Sequence, residues 1–279
     1  MNTQKRQRGR PKSVFKESSA GTLQSLDRAL GVLTVVARSE AATLTDLALT
    51  VGIPTATTHR ILTTLRKHDF VFFDEERQVW MIGVEAYRTG AAFLKRSNLA
   101  EVGRVVMRQL MEETGETANL AIPDGPEVVF VGQIETNNPI RAFFPPGTRT
   151  SMHASGTGKA LLSTYSEDKV TKLLLGAGLT AFTERTRVTP QSLFDDLAET
   201  SRRGWSFDRE ERYAGMSCIG SAIFDENERA IAGVSISGPS NRFDDARVAK
   251  FGPTVAQAAS EITRLTGGSV PRDWGCETA

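Results

Sequence analysis

The sequence predicts two domains: a small three-helix unit closed by a β-hairpin, then a larger α+β domain on an antiparallel sheet. Three observations predict this. The chain has 279 residues, about twice an ordinary domain. Its apolar period changes from helical to strand-like near residue 70. From residue 100 onward, hairpin-like strands follow one another with helices at either end of the run, the order expected of an α+β rather than a parallel α/β domain.

Residues 1–20 are polar, lack an apolar period and read as a flexible basic arm. Lys5, Arg6, Arg8, Arg10, Lys12 and Lys16 put six positive charges into residues 1–16, whereas the whole chain carries a net charge of only +1. The body is therefore mildly acidic, and nucleic acid would be held locally rather than by general charge. The segment SLDRALGVLTVVAR (25–38) sets Leu26, Ala29, Leu30, Leu33 and Val36 on one helical face. In TLTDLALTVG (43–52), Thr43 and Asp46 fit a capping box and Gly52 fits a helix stop. Pro54 is well placed at the start of a third helix, where its missing N–H costs nothing. In that helix Ile61, Leu62 and Leu65 form the buried stripe. FVFFDEERQVWMIG (70–83) reads as two short strands around a polar turn at Asp74–Arg77. A helical stretch from 84 to 99 links the domains.

The second domain is expected to span 100–268, with a tail at 269–279. It opens on a helix (101–115), followed by the strand-like ANLAI and VVFVGQI around a PDGPE turn. IRAFF (140–144) reads as a further short strand stopped by Pro145-Pro146-Gly147. Helical patterns occupy 158–176 and 189–203. The strands WSFD, SCIGSAIF and AIAGVSIS then lead to a long amphipathic helix over about 244–266.

Composition narrows the function. Hydrophobic residues make up 39% and charged residues 24%, as in globular proteins with a sizeable core. No run approaches the roughly 18 apolar residues of a membrane span, and the charged N-terminus is followed by no leader-type apolar stretch. Cys218 and Cys276 fit neither a disulfide framework nor a metal site. A cytoplasmic protein without membrane partner, metal or cofactor is expected.

Three helices and a hairpin at 21–83 describe a winged helix-turn-helix. Its third helix carries Thr55, Thr57, Thr58, His59 and Arg60 opposite the apolar stripe. Threonines can meet base edges or thymine methyls, and arginine can bond guanine or phosphate. The same residues on a packing module would simply be solvated. RGRP (8–11) resembles an AT-hook core, in which Arg8 and Arg10 would enter a narrow A·T-rich minor groove. As a bare basic tail it would add only non-specific phosphate affinity. Wing, helix and arm together favour a reader of double-stranded operator DNA.

MHASGTGKALL (152–162), DREERYAGMSCIGSAIFD (208–225), GVSISGP (233–239) and GETANLAI (115–122) resemble the effector-binding domain of the IclR family of bacterial transcriptional regulators. The winged helix matches as well, so the resemblance covers about residues 22–267. Within the family the likeness is strongest to glyoxylate-responsive repressors of allantoin utilisation, and a regulator of the β-hydroxyaspartate cycle would look similar. The resemblance implies a GAF-like effector domain, dimers or tetramers, and a ligand pocket lined by Ser155, Gly156, Thr157, Asp208, Cys218, Ser235 and Ser237. The residues agree with that. SGTG before a helix offers free N–H groups to a carboxylate, and Ser235 and Ser237 share one side of a strand. Each also has a plainer reading: SGTG as a helix cap, Cys218 as a small core residue, Asp208 as the ion-pair partner of Arg209 or Arg212. The effector expected is a small 2-oxo or 2-hydroxy acid, glyoxylate first.

An enzyme is the competing class. GTGK is not a phosphate loop, because Lys159 is followed by Ala160 rather than Ser or Thr. Cys218 as a nucleophile on a small carbonyl acid would need His153 as its base, within hydrogen-bond reach.

Overall fold

A computed structural model describes residues 23–94, 99–175 and 178–276. The basic arm, with Arg8 and Arg10, lies outside the described residues. The chain divides into two compact units between Phe93 and Leu94, and each is described by itself.

The first unit contains α1 (Gln24–Arg38), α2 (Leu44–Val51), α3 (Thr55–Lys67), the strands β1 (Val71–Asp74) and β2 (Val79–Ile82), and α4 (Val84–Leu94). Thr43 caps α2 by accepting from the Asp46 N–H, and Gly52 ends it in the left-handed region at φ 70°. β1 and β2 pair antiparallel from Val71↔Ile82 to Asp74↔Val79. The core gathers Val32, Val36, Leu47, Leu62, Val71 and Trp80. The helical face read from the sequence for α1 needs correction. Val36 is fully buried and Leu33 packs on the core, but Leu26 and Leu30 are 54% and 55% exposed. The inward stripe runs through Val32 instead, and Leu26 and Ala29 line an open pocket against α3.

The second unit comprises α5 (Leu99–Thr114), β3 (Thr117–Asp124), β4 (Glu127–Ile134), β5 (Arg149–Ser151), α6 (Gly156–Leu162), α7 (Glu167–Leu175), α8 (Pro190–Arg203), β6 (Ser206–Arg209), β7 (Met216–Phe224), β8 (Ala230–Pro239) and α9 (Asp245–Leu265). Six strands form one sheet in the order β5-β4-β3-β8-β7-β6, every neighbour antiparallel.

Two sequence expectations fail here for local reasons. IRAFF is not a strand. Arg141 reaches Glu135 at 2.6 Å, Phe144 stacks on Phe130 of β4 with centroids 5.0 Å apart, and the edge of β4 is taken by β5 through Val129↔Arg149. The helical pattern at 158–176 is two helices, because the Ser163 and Thr164 hydroxyls turn back to the Ala160 and Leu161 carbonyls and break the run.

Strand alternation gives the sheet two unlike faces. One carries Ala118, Leu120, Ile219, Val234 and Ile236 and buries them under α5 and α9. The other is polar at its centre. One row across it reads Asp208–Cys218–Ser237–Thr117, the next Ser206–Gly220–Ser235–Asn119–Gln133. The start of α6 lies directly on this second row. The Ser206 hydroxyl donates to the Gly156 carbonyl at 2.5 Å. A Cβ on Gly220 would stand 2.6 Å from Gly156 C and Thr157 N, backbone atoms that cannot move aside. Gly220→Ala is therefore expected to destabilise the second unit by about 1–3 kcal/mol through overpacking. Gly90→Ala in α4, where nothing lies within 4 Å, should leave stability unchanged or slightly higher. Urea unfolding of both variants checks the contrast.

Candidate functional site

Two surfaces carry chemistry, one in each unit. On α3, Thr55, His59 and Arg60 are exposed and Thr57 is half-buried. Thr58 is not on this face. It is fully buried, and its hydroxyl donates to the Pro54 carbonyl at 3.2 Å. One turn before Leu62, it belongs to the inner stripe. The exposed face continues instead through Thr63, whose hydroxyl donates back to the His59 carbonyl at 2.8 Å, to Arg66 and Lys67. Arg66 also approaches Glu75 of the wing at 3.6 Å, an exposed pair of little energetic weight that nonetheless links helix and hairpin. A groove of about 390 Å³ between α3 and the hairpin is lined by His59, Thr63, Arg66, Gln78 and Trp80 among others. An uncapped helix N-terminus followed by hydroxyls, an imidazole and three cations suits a nucleic-acid groove.

In the second unit, the polar face of the sheet ends in a cavity of about 30 Å³ beside the start of α6. Of the seven residues expected to bind a ligand, Ser155, Asp208, Cys218 and Ser237 line it. Gly156, Thr157 and Ser235 do not. They form the close-packed floor next to it, where the Thr157 and Ser235 hydroxyls are buried without hydrogen-bond partners. The space in front of the α6 N-terminus is filled by Cys218 and Gly220: a Cβ on Gly156 would meet the Cys218 Sγ at 2.7 Å. The Ser155 hydroxyl is already used as a cap, accepting from the Gly158 N–H at 3.1 Å. The carboxylate cradle read from SGTG is thus a helix cap packed on the sheet.

The sequence reading missed the aromatic and basic wall. Phe130, Phe144, Arg212 and Tyr213 complete the lining with Thr150 and Met216. Arg212, Tyr213 and Met216 lie within DREERYAGM and Phe144 within IRAFF, the only advance signal they gave; Phe130 and Thr150 lie in neither segment. It also missed Asn119, fully buried, which donates to the Ser237 Oγ at 3.3 Å and accepts from Gln133 at 2.9 Å.

At the polar end of the site, burial raises both the carboxyl and the thiol. Burial pushes the Asp208 carboxyl up to about 7, with the nearby Lys159 charge only partly opposing. Its Oδ1 accepts from the Glu211 N–H at 2.7 Å. It is not the partner of Arg209, which pairs with Asp245 at 2.8 Å. Burial, then the Asp208 charge, pushes the Cys218 thiol up to about 11, so it is a thiol and not a thiolate at neutral pH. His153 does not serve it. The ring lies over Phe182, and Nε2 sits 3.1 Å from the Thr180 carbonyl, to which it donates. Burial pushes the imidazole down.

Behind the cavity, Lys159 is fully buried. Its ammonium donates to the Phe207 carbonyl at 2.6 Å and to Glu211 at 2.6 Å, and it forms an ion pair with Asp196 at 2.8 Å. Arg187 closes the cluster on Asp196 at 3.0 Å, so two cations meet two carboxylates. Burial raises the Glu211 pKa against the opposing charge of Lys159.

Raised carboxyl pKa values stabilise the fold while the protons stay on, below the ordinary carboxylate range, and that contribution is lost as pH rises through the folded value. For Asp208 the window runs from about 4 to about 7. The urea midpoint of the wild type should fall across this window. Asp208→Asn, which keeps an acceptor and never ionises, should remove the Asp208 share of the slope and leave that of Glu211. An unchanged slope would place Asp208 in a wetter setting than this one.

Two family models match the chain: IclR helix-turn-helix domain over residues 25–75 and Bacterial transcriptional regulator IclR C-terminal over residues 91–264. Among curated relatives, HTH-type transcriptional regulator BhcR of Paracoccus denitrificans is 44% identical over 276 residues, covering 98% of each chain. Transcriptional repressor IclR of Escherichia coli K12 is 43% identical, covering 94% of this chain and 96% of its own. HTH-type transcriptional repressor AllR of E. coli K12 is 36% identical, covering 95% and 98%. Among solved structures, the Thermotoga maritima IclR superposes with a TM-score of 0.73 at 25% identity, covering 87% of this chain and 98% of that one.

Proposed function

Since the chain belongs to the IclR family and is a ligand-responsive transcriptional regulator rather than an enzyme, we propose that its effector is a small 2-oxo or 2-hydroxy acid, glyoxylate first, bound in the cavity beside α6. The observation that carries this reading is the cavity itself. About 30 Å³ is room for roughly two waters, which favours an acid of two or three carbons over a larger one. The lining joins a protonatable carboxyl at Asp208, the Cys218 thiol and the Ser237 hydroxyl, a set of donors and acceptors for one carbonyl or hydroxyl. The relatives support the regulator reading by name: BhcR is a transcriptional regulator, and IclR and AllR are transcriptional repressors.

On the DNA side, Thr55, Thr57, His59 and Arg60 read bases from α3 while Arg8 and Arg10 of the arm enter the minor groove. Thr58 is left out because it is buried. Two copies of the winged helix reading a near-palindrome multiply a modest single-site affinity, which favours a dimer or a pair of dimers. The protein works in the cytoplasm, where its operator DNA is. No described helix is long and apolar enough to cross a membrane.

Ser237→Ala removes one buried hydrogen-bonding group, a loss of about 1–3 kcal/mol or roughly 5- to 150-fold in affinity. It should raise the glyoxylate concentration needed to change operator binding, while ligand-free operator binding stays intact, as read by fluorescence anisotropy. A Ser237→Ala protein that responds as the wild type does would move the ligand elsewhere. On the DNA side, Thr57→Ala or His59→Ala should change the preference among operator variants. Deleting residues 1–16 should instead weaken binding to all of them and flatten its salt dependence, since six cations are lost. A truncated protein with an unaltered salt slope leaves the arm no role.

A further inference from the structure

The turn between β6 and β7 forms one wall of the effector cavity, through Arg212, Tyr213 and Met216. The other walls are fixed. The start of α6 is packed on Cys218 and Gly220, and Lys159 holds α6 to Phe207 and Glu211. The segment that carries Phe144 is tied on both sides of it. Arg242 donates to the Ile140 carbonyl at 3.1 Å, and the Gly147 N–H donates to the Phe130 carbonyl at 2.7 Å.

The turn is built differently. Two residues in the left-handed region bracket it, Glu210 at φ 62° and Gly215 at φ 78°. That conformation is sparsely populated for a glutamate and persists only where the surroundings hold it. Here they do. The Thr183 hydroxyl donates to the Glu210 carbonyl at 2.7 Å, the Thr186 hydroxyl donates to the Glu211 carbonyl at 2.6 Å, and the Glu210 carboxylate accepts from the Gly215 N–H at 3.1 Å. Between these ties, Arg212 and Tyr213 are held by ring faces. The Arg212 guanidinium carbon lies 3.8 Å from the centroid of Phe182, and the Tyr213 ring faces Phe144 at 6.2 Å. Tyr213 and Ala214 are exposed. Phe182 lies outside the cavity lining and is itself anchored: its N–H donates to the Thr186 Oγ1 at 2.9 Å, and its ring lies 5.8 Å from that of His153. Fixed ends in hinge-like conformations, with a centre held by ring contacts, describe a flap.

We propose that this turn is a gate over the effector cavity and that Phe182 is its latch, setting how fast the effector enters and leaves without setting how tightly it is held. The proposal rests on the small-acid reading above and adds its kinetics. A latch made in both the empty and the occupied closed states stabilises the two equally. It cancels from the affinity and stays in the barrier to opening, which the ligand crosses in both directions.

The test compares Phe182→Ala with the wild type, on the full chain. Calorimetry gives the glyoxylate dissociation constant, and exchange spectroscopy with isotope-labelled glyoxylate gives the two rates. Both rates should rise together by about two- to tenfold, the worth of one cation–π contact in a barrier. The dissociation constant should stay within about twofold. Amide hydrogen exchange without ligand gives a second readout: exchange across 211–216 should quicken while that of α9 stays as it was. Unchanged rates would overturn the gate, as would a weaker glyoxylate complex formed at the wild-type rate. Exchange that quickens equally in α9 would make Phe182 a merely structural part of the fold and overturn it too. Should Phe182→Ala fail to fold, Phe182→Leu carries the same comparison, since it keeps apolar bulk but loses the ring face. A wild type that binds no glyoxylate overturns the glyoxylate reading alone, and hydrogen exchange then decides the gate.

Discussion

The buried ammonium of Lys159 holds the effector cavity in shape. A lysine with no exposed surface is costly unless each of its three donors is met and its charge is balanced. Two donors are met and two carboxylates balance the charge. The three partners come from three separate places: α8 through Asp196, β6 through the Phe207 carbonyl, and the segment after β6 through Glu211. Lys159 itself sits on α6. One side chain thus fixes where Ser155 ends its loop, where Asp208 leaves the sheet and where Arg212 begins its approach to the rings. The Thr186 hydroxyl adds a fourth tie, donating to the Glu211 carbonyl at 2.6 Å. Removing one member of such a cluster leaves an uncompensated buried charge, a loss of about 3–5 kcal/mol.

The second constraint is the sheet's unequal faces. A two-layer domain buries one apolar face, and here α5 and α9 cover it. The opposite face carries hydroxyls, an amide and a thiol at its centre, which are satisfied in part by one another, as Asn119 is by Ser237 and Gln133. Glycines at 156 and 220 let α6 cover half of that surface directly. Where its cover ends, the cavity begins. A ligand there would touch the same segments that Lys159 holds together, so its occupancy would change the relative stability of their arrangements. That is all a population shift requires: the effector must bind one arrangement better than another.

Local chemistry was legible in the sequence, and long-range pairing was not. The Thr43 cap and the Gly52 stop are decided within a few residues and stand as read. Cys218, Ser235 and Ser237 share a face because strand period is fixed at two. Four of the expected ligand residues meet at one cavity, having been carried there by motif likeness rather than by spacing. The misses have a common cause. Thr58 was placed outside because threonine is polar, although the helical turn sets it in line with Leu62. Leu26 and Leu30 were placed inside, but among the described residues each is more than half exposed. IRAFF has strand-like residues and no strand edge to join. Lys159 gave no sign of burial, since its acceptors lie 37 to 52 positions away. Arg212 read as one charge among several until Phe182 was seen against it.

In a ligand-responsive regulator, effector binding in one unit and DNA binding in the other must share a free energy. Thermodynamic linkage makes that measurable without knowing the route between them. Glyoxylate affinity should be measured by calorimetry on the free full-length protein and on the same protein saturated with operator DNA. The account predicts two different dissociation constants, whose ratio equals the factor by which saturating glyoxylate changes operator affinity. Identical glyoxylate affinities in the free and DNA-bound protein would contradict it.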